Sequence, residues 1–372
     1  MRKIVFLTGT RADFGKIKSL VQSVEDHPEF EPFIFVTGMH LLREYGYTLI
    51  EVERSGFKNI ATFHNHTDEA TMDLTLAKTI NGFSAYIKDV HPDLIVVHGD
   101  RVEALAGAIV GSLNNILVAH IEGGELSGTI DELIRHSVSK LSHIHYTSNE
   151  EAKQRLLQMG ELEESIFTIG SPDVDIMFSD DLPSIDEVKR YYEINFESYA
   201  IAMYHPVTTE VENTEEEANH FVDALIESGK NYVVIYPNND LGSKLILKTY
   251  QRLNANQRFK IFPSIRFEYF LTLLKESDFI IGNSSAGVRE APYYGIPTIN
   301  IGNRQLNRAS SSKIVNVSHQ KNDILSAINE LPNGHEVLTE IFGKGNSATL
   351  FLKSLESNEV WSINHQKQFK DA

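Results

Sequence analysis

Two sets of residues have the types and spacing to do chemistry. The first is Gly282-Asn-Ser-Ser-Ala-Gly-Val-Arg-Glu290, which follows the apolar strand Asp278-Phe-Ile-Ile281. Backbone N–H groups at a helix start, with the helix dipole behind them, attract an anion. Gly282 and Gly287 let a ligand approach the backbone, and Ser284 and Ser285 add hydroxyl donors. Glu290 is a poor phosphate ligand but a good acceptor for ribose hydroxyls. Together they suggest a nucleoside diphosphate held by one end, although the stretch also reads as a capped strand–turn–helix without a ligand. The second set is acidic: Asp100 in His98-Gly-Asp-Arg101, Glu122 in His120-Ile-Glu-Gly-Gly-Glu125, and Asp131 near the start of the next helix. Glu122 ends an apolar strand, where a carboxylate is costly unless paired or used. Three converging carboxylates raise one another's pKa, so that acid and base forms coexist. The simpler readings are an Asp100–Arg101 ion pair and helix caps at Asp100 and Asp131.

Further candidates flank these two sets. Thr8-Gly-Thr-Arg-Ala-Asp-Phe-Gly-Lys16 is a glycine-containing turn that leads into a helix. It matches neither the dinucleotide fingerprint nor the P-loop, but Arg11 suits phosphate geometry. His205, in Ala202-Met-Tyr-His-Pro206, suits a cationic phosphate contact or a general acid. Tyr236-Pro-Asn-Asn-Asp-Leu-Gly242 is an amide-rich turn that places Asn238 near a base or phosphate, or simply ordinary turn chemistry. The pairs His64/His66 and His143/His145 lack a third ligand at a recognisable spacing, so no metal is expected. The acidic run Glu210–Glu217 reads as a solvated helix start.

The elements that must position these residues alternate along the chain. Strand candidates are Lys3–Leu7, Glu31–Thr37, Asn59–Phe63, Asp93–Val97, Ile116–Ile121, Ile144–Thr147 and Ser165–Ile169, with helical stretches at Lys16–Asp26, Thr71–Val90 and Val102–Leu113. Several strands are apolar throughout, as strands covered on both faces are. The pattern loosens over 173–198 and restarts with Tyr199–Tyr204, Tyr232–Tyr236, Phe259–Phe262, Phe279–Ile281, Thr298–Ile301 and Ile314–Val317. Alternating strands and helices predict parallel sheets with right-handed crossovers. The expected fold is therefore α/β, with two Rossmann-like doubly wound domains facing a central cleft. Ligands sit at the C-terminal ends of such strands. The expected division is an N-terminal domain over 1–172 that carries the carboxylates, a junction over 173–198, and a nucleotide-binding domain over 199–345.

Composition narrows the class. The 372 residues are 41% hydrophobic and 23% charged, with a formal net charge of -17 and no cysteine. Such a surface repels nucleic acid and anionic membrane. Without cysteine there are no disulfides, thiolate nucleophiles or Cys-based metal sites. The short apolar run Ile4–Leu7 reads as a first strand rather than a signal peptide, and Ala104–Leu113 is too short to span a membrane. A cytoplasmic enzyme or binding protein is the expected class.

At this point the pieces resemble the hydrolysing UDP-N-acetylglucosamine 2-epimerases of bacterial sialic acid and capsule biosynthesis. The matching segments are Gly9-Thr-Arg-Ala-Asp13, Val36-Thr-Gly-Met-His40, His98–Arg101, His120-Ile-Glu-Gly-Gly-Glu-Leu-Ser-Gly-Thr-Ile-Asp131, His205-Pro-Val-Thr-Thr209, Tyr236–Asp240 and Gly282–Glu290. They are in order and cover most of residues 1–310; the His120–Asp131 segment is the most specific. Non-hydrolysing epimerases carry Glu-Ala-Gly-Leu-Arg-type wording there. The resemblance implies a GT-B-like fold whose C-terminal helix, within 346–372, crosses back to the first domain. It also implies a homodimer or homotetramer and no cofactor. Arg11, Arg101, His205, Ser284 and Ser285 would hold the diphosphate, with Asn238 supporting the nucleotide, Glu290 the ribose, and Arg304 the UDP end. Asp100, Glu122 and Asp131 would be the catalytic carboxylates, with His205 beside the leaving group. Gly15 stands where some relatives have Ser, which removes one donor. The implied reaction converts UDP-N-acetylglucosamine and water to N-acetylmannosamine and UDP through 2-acetamidoglucal. Two alternatives are a hydrolysing epimerase for a UDP-2,4-diacetamido-2,4,6-trideoxyhexose and a non-catalytic UDP-sugar sensor.

Overall fold

Two stretches of alternating strand and helix give two parallel sheets. The computed structural model describes residues 1–66, 71–127, 130–208, 210–305, 313–331 and 341–370. The first compact unit comprises Met1–Glu125, Asp131–Ser179 and Ile341–Ala372, and the second Leu126–Ile130 and Asp180–Glu340. Strands of the first unit are β1 (Arg2–Thr8), β2 (Phe30–Val36), β3 (Ile60–Thr62), β4 (Leu94–His98), β5 (Leu117–Ile121), β6 (Ile144–Thr147) and β7 (Ile166–Thr168). Those of the second are β8 (Ala200–Met203), β9 (Tyr232–Ile235), β10 (Phe259–Phe262), β11 (Ile280–Gly282), β12 (Thr298–Ile301) and β13 (Ile314–Val317). Each strand falls within a residue or two of its expected position.

The sheet orders are β3-β2-β1-β4-β5-β6-β7 and β10-β9-β8-β11-β12-β13, with every pairing parallel. In each sheet the chain reverses its winding direction beside the unit's first strand, between β1 and β4 and between β8 and β11. Such a reversal opens a crevice at the strand C-termini where ligands bind. Arg11 follows β1 and Asp100 follows β4; His205 follows β8 and Ser284 follows β11.

Hydrophobic packing explains why the elements stay in this order. On one face of the first sheet, Phe6, Ile34, Val96 and Tyr146 pack with Ile17, Leu20, Val21 and Val24 of the Arg11–Glu25 helix, and with Phe351 and Leu355 of the Ser347–Glu356 helix. Phe351 meets the rings of Phe6 and Tyr146 at centroid distances of 6.3 and 5.0 Å, and the buried Tyr146 hydroxyl reaches Ser354 Oγ at 2.7 Å. Burying such a side chain contributes about 1.5–3 kcal/mol, enough to seat the Ser347–Glu356 helix on this unit. In the second unit Tyr204, Phe221, Leu225, Tyr232, Phe279 and Ile299 form the corresponding core.

Two local expectations change. The first long helix begins at Arg11, five residues before the expected start at Lys16, because Thr10 and Asp13 form a capping box. The segment after Gly282 is not one long helix. It is a 3-10 turn over Ser285–Gly287 followed by the four-residue helix Glu290–Tyr293, so little dipole accumulates there. The turn requires Gly282, whose φ is +134° and where an added Cβ would lie 1.8 Å from the Met203 carbonyl oxygen. Gly282→Ala is expected to cost at least about 3 kcal/mol of stability, read as a lower urea midpoint; an unchanged midpoint contradicts this backbone fit.

Candidate active site

In the first unit the buried guanidinium of Arg135 gathers the acidic residues. Arg135 projects from the Ile130–Leu141 helix and is 1% exposed. Its Nη2 donates to Asp100 Oδ2, and its Nη1 donates to the Glu122 main-chain oxygen at 2.7 Å and lies 3.7 Å from Glu125 Oε2. Asp100 is thus paired with Arg135. Asp131 lies in the first turn of the same helix, one i,i+4 step before Arg135, so the two share a face. It is the helix's second residue, inside the first turn and past the cap position.

Glu122 is held in a costly conformation. It is almost fully buried and has φ +63°, the left-handed region that most side chains avoid. A non-glycine residue there costs about 1–2 kcal/mol. The bend turns the carboxylate toward Ser171, whose hydroxyl donates to Oε1, and toward His98, whose Nε2 is 3.3 Å from Oε2. Glu125 accepts a hydrogen bond from Ser148 Oγ at 2.7 Å.

A neutral histidine braces the loop that carries Asp100. His120 is fully buried, with Nε2 2.8 Å from the Gly99 carbonyl oxygen and Nδ1 2.9 Å from Ser139 Oγ. A carbonyl only accepts, so Nε2 carries the proton and Nδ1 accepts from Ser139. Burial pushes the His120 pKa down to about 3, against the Gly99 hydrogen bond. On the other side of the crevice His40 bonds Thr8 Oγ1 at 3.0 Å and Thr48 Oγ1 at 2.8 Å, and burial lowers its pKa to about 4. Arg11 occupies the first turn of its helix, half-buried. Arg101 Nε pairs with the buried Glu103 at 3.2 Å, and Glu103 also accepts from Asn65 at 3.3 Å.

In the second unit Asn283 organises the strand ends. Its buried side chain accepts from the His205 backbone N–H at 2.6 Å and donates to the His205 carbonyl at 2.8 Å. Its own carbonyl accepts from Arg304 Nη1 at 3.1 Å and Gln305 Nε2 at 3.0 Å. The Asn238 backbone N–H donates to His205 Nδ1 at 3.0 Å, so Nδ1 is unprotonated and the ring is neutral, with its proton on Nε2. His205 is thus a hydrogen-bond donor to an anion and not a fixed cation. Ser284 Oγ accepts from Ala286 N at 3.3 Å, leaving its own proton to donate. Ser285 begins the 3-10 turn, and Glu290, buried, begins the short helix after it.

Sequence reasoning did not single out Arg135, Glu125, Ser171, His98, Glu103 or Asn283. The one available signal was spacing: Asp131 and Arg135 share a helix face, and Asn283 sits inside the glycine–serine turn. Gly128, Thr129 and Thr209 of the motifs lie outside the described residues. The His143/His145 pair is taken up structurally, His145 Nε2 by Glu161 at 3.0 Å and His143 Nδ1 by the Val118 N–H at 3.1 Å. Among the described residues no group of three or more His, Asp or Glu side chains is arranged to hold a metal ion.

Two doubly wound parallel-sheet domains, with polar side chains gathered at the strand ends beside each reversal, define a protein of the GT-B-like class. A family model described as UDP-N-acetylglucosamine 2-epimerase matches residues 22–356. The chain belongs to that family. It is 46% identical over 375 residues to a "UDP-N-acetylglucosamine 2-epimerase" of Neisseria meningitidis serogroup B, covering 100% of this chain and 99% of the relative. It is 32% identical to a "UDP-N,N'-diacetylbacillosamine 2-epimerase (hydrolyzing)" of Legionella pneumophila, covering 94% of each. Among solved structures, the Methanocaldococcus jannaschii UDP-GlcNAc 2-epimerase in complex with UDP-GlcNAc and UDP superposes with a TM-score of 0.82, covering 96% of this chain and 99% of that one. At 22% identity this last likeness concerns the fold.

The buried neutral histidines give an acid-lability with a definite sign. His40 and His120 have folded pKa values of about 4 and about 3 against 6.5 for the free side chain, so between these limits the unfolded chain binds more protons. Their stabilisation is complete above pH 6.5 and is lost as pH falls through the folded values. Each contributes a slope of up to about 1.4 kcal/mol per pH unit. Urea titrations are expected to show stability falling steadily from pH 6.5 to 4.5; a flat profile refutes neutral burial.

Proposed function

We propose that this protein is a hydrolysing UDP-N-acetylglucosamine 2-epimerase, which converts UDP-N-acetylglucosamine and water to N-acetylmannosamine and UDP for sialic acid biosynthesis in the cytoplasm. The observation that carries this reading is the assembly of Asp100 and Glu122 around Arg135, in a chain that belongs to the epimerase family. A UDP-binding protein alone has no need of a strained, buried carboxylate one strand away from an ion-paired one. Among the described residues no helix is long and apolar enough to cross a membrane.

The first step is loss of UDP from C1 with removal of the C2 proton, giving 2-acetamidoglucal. The C2 proton is not next to a carbonyl, so its removal follows substantial C1–O cleavage, and carboxylates stabilise the positive charge at C1 as in glycosidases. Water then adds at C1, and a proton returns to C2 from the opposite face. Asp100, Glu122 and Asp131, in the domain over 1–172, share the proton transfers, each worth about 10²–10⁴ in rate. Arg135 holds the Asp100 carboxyl group in place, and Ser171 and His98 aim Glu122. The domain over 199–345 holds UDP: His205 Nε2–H, Ser284 and Ser285 donate to the diphosphate, Asn238 supports the nucleotide, Glu290 binds the ribose, and Arg304 lies at the UDP end. Arg11 and Arg101 add positive charge. Each well-placed donor to the leaving diphosphate lowers the barrier by about 3 kcal/mol.

The Legionella relative supports a second reading, in which the same UDP-binding groups serve a UDP-2,4-diacetamido-2,4,6-trideoxyhexose. The higher identity to the Neisseria relative favours N-acetylglucosamine as the sugar. A parallel assay with both UDP sugars separates the two.

Turnover of UDP-N-acetylglucosamine in D₂O, followed by NMR, is expected to yield UDP and N-acetylmannosamine deuterated at C2. Release of N-acetylglucosamine with its C2 proton retained would leave a plain hydrolase. Tight UDP binding with no turnover would leave a sensor. Glu122→Gln and His205→Ala are expected to keep the fold by circular dichroism and to lower kcat at least about 100-fold. Near-normal turnover in either variant removes that residue from the mechanism.

A further inference from the structure

The segment over 364–370 is placed against the Ile130–Leu141 helix in a way the proposed chemistry does not call for. Lys367 Nζ lies 2.8 Å from the Ser139 carbonyl, 2.5 Å from the Ser142 carbonyl and 2.6 Å from Glu161 Oε2. An ammonium on the last carbonyls of a helix complements its negative end. Burial lowers the Lys367 pKa to about 8, against the pull of Glu161. Glu161 is itself buried, and burial alone would raise its pKa; His145, Lys367 and Lys140 override this and hold it at about 2.

The rest of the segment is pinned at several points. His143 Nδ1 accepts from the Val118 N–H, so its Nε2 donates to the His365 carbonyl at 2.9 Å. His365 Nδ1 donates to the Asn115 carbonyl at 2.6 Å. The Lys370 N–H donates to the Gly160 carbonyl at 3.0 Å, and the Phe369 ring covers Gly160 so closely that an added Cβ would come within 2.4 Å of it. Lys140 Nζ lies over the same ring at 5.1 Å and reaches Glu161 Oε1 at 2.8 Å.

What the segment grips is the helix that sets the site. Asp131, Arg135 and Ser139 follow at i,i+4 steps and form one stripe along it. Arg135 bonds Asp100 and the Glu122 carbonyl, while Ser139 Oγ bonds His120, which bonds Gly99 beside Asp100. Sliding or rotating this helix therefore moves the loops after β4 and β5 together. Lys367 holds the carbonyl of Ser139 itself. Resting on the function proposed above, we propose that residues 364–370 are a positioning strap for this helix and that Lys367 is its clamp. Lys367 acts through the helix, touches no substrate, and therefore governs kcat with little effect on UDP binding.

The test measures kcat and KM for UDP-N-acetylglucosamine, and Kd for UDP, in the unaltered chain and in Lys367→Met, Lys367→Arg and a chain ending at residue 363. Lys367→Met and the shortened chain are expected to lose about tenfold or more in kcat, since displacements of about 1 Å cost up to about 100-fold. UDP affinity is expected to stay within twofold, and Lys367→Arg, which keeps the charge and donors, to recover kcat to within threefold. Three outcomes would overturn the proposal: full kcat in Lys367→Met, parallel loss of kcat and UDP affinity, or no recovery by Lys367→Arg. Failure of the functional reading is separate and shows as absent turnover in the unaltered chain.

Discussion

A buried guanidinium is tolerable only if its charge is answered, and Arg135 is answered by the groups to which the proposed chemistry is assigned. Asp100 neutralises it, the Glu122 carbonyl takes a second donor, and Glu125 lies close enough to add charge. An ion buried without partners costs several kcal/mol. The same penalty therefore keeps the loop after β4, the loop after β5 and the Ile130–Leu141 helix from moving independently. The left-handed backbone at Glu122 becomes affordable in this setting, because its carbonyl must face Arg135 while its carboxyl faces Ser171.

The second unit solves a different problem with neutral groups. Asn283 ties the main chain on both sides of His205, and its carbonyl holds Arg304 and Gln305. The Asn238 N–H at Nδ1 leaves His205 a neutral donor through Nε2. On the proposed function, neutral donors suit a group that binds a diphosphate and then releases it, since a buried full charge would be costly in the empty state. The protein's net charge of -17 makes such local donors necessary, because the surface as a whole repels an anion.

How far the sequence was legible follows from which interactions are local. The strands were readable because they are covered on both faces and so are apolar throughout: Val5, Phe6, Val96, Val97, Val118 and Ala119 are all buried. The helix start at Arg11 was hidden because its cap pairs Thr10 with Asp13 rather than the usual glutamate, and Gly15 reads as a turn residue. Asp100, Glu122, His205 and Ser284 were legible as polar residues at the ends of apolar strands, and Glu290 as a carboxylate about a turn beyond one of them. Arg135 and Ser171 were not, because their partners lie 35 and 49 residues away and only the sheet order brings them near. Asn283 looked like one more polar turn residue, since its partner across the β8–β11 reversal is a main-chain segment and leaves no pattern of residue types.

The two kinds of organisation also explain why the carboxylate motif, and not the glycine–serine turn, distinguishes a reaction. A turn closed by Gly282 and Asn283 fixes main-chain N–H and hydroxyl donors, and any diphosphate satisfies them whatever sugar it carries. The carboxylates of the first unit gain nothing from a diphosphate; they repel it. Their strain and burial are compensated inside their own hydrogen-bond network, which on the proposed function serves what they do to a sugar ring. On the proposed function, substrate choice then comes from residues around that ring, close to Asp100 and Glu122, while affinity for UDP comes from the turn. Relatives named for different UDP sugars can share the turn's chemistry and diverge around the carboxylates, which is the pattern expected when binding and reaction are carried by separate domains.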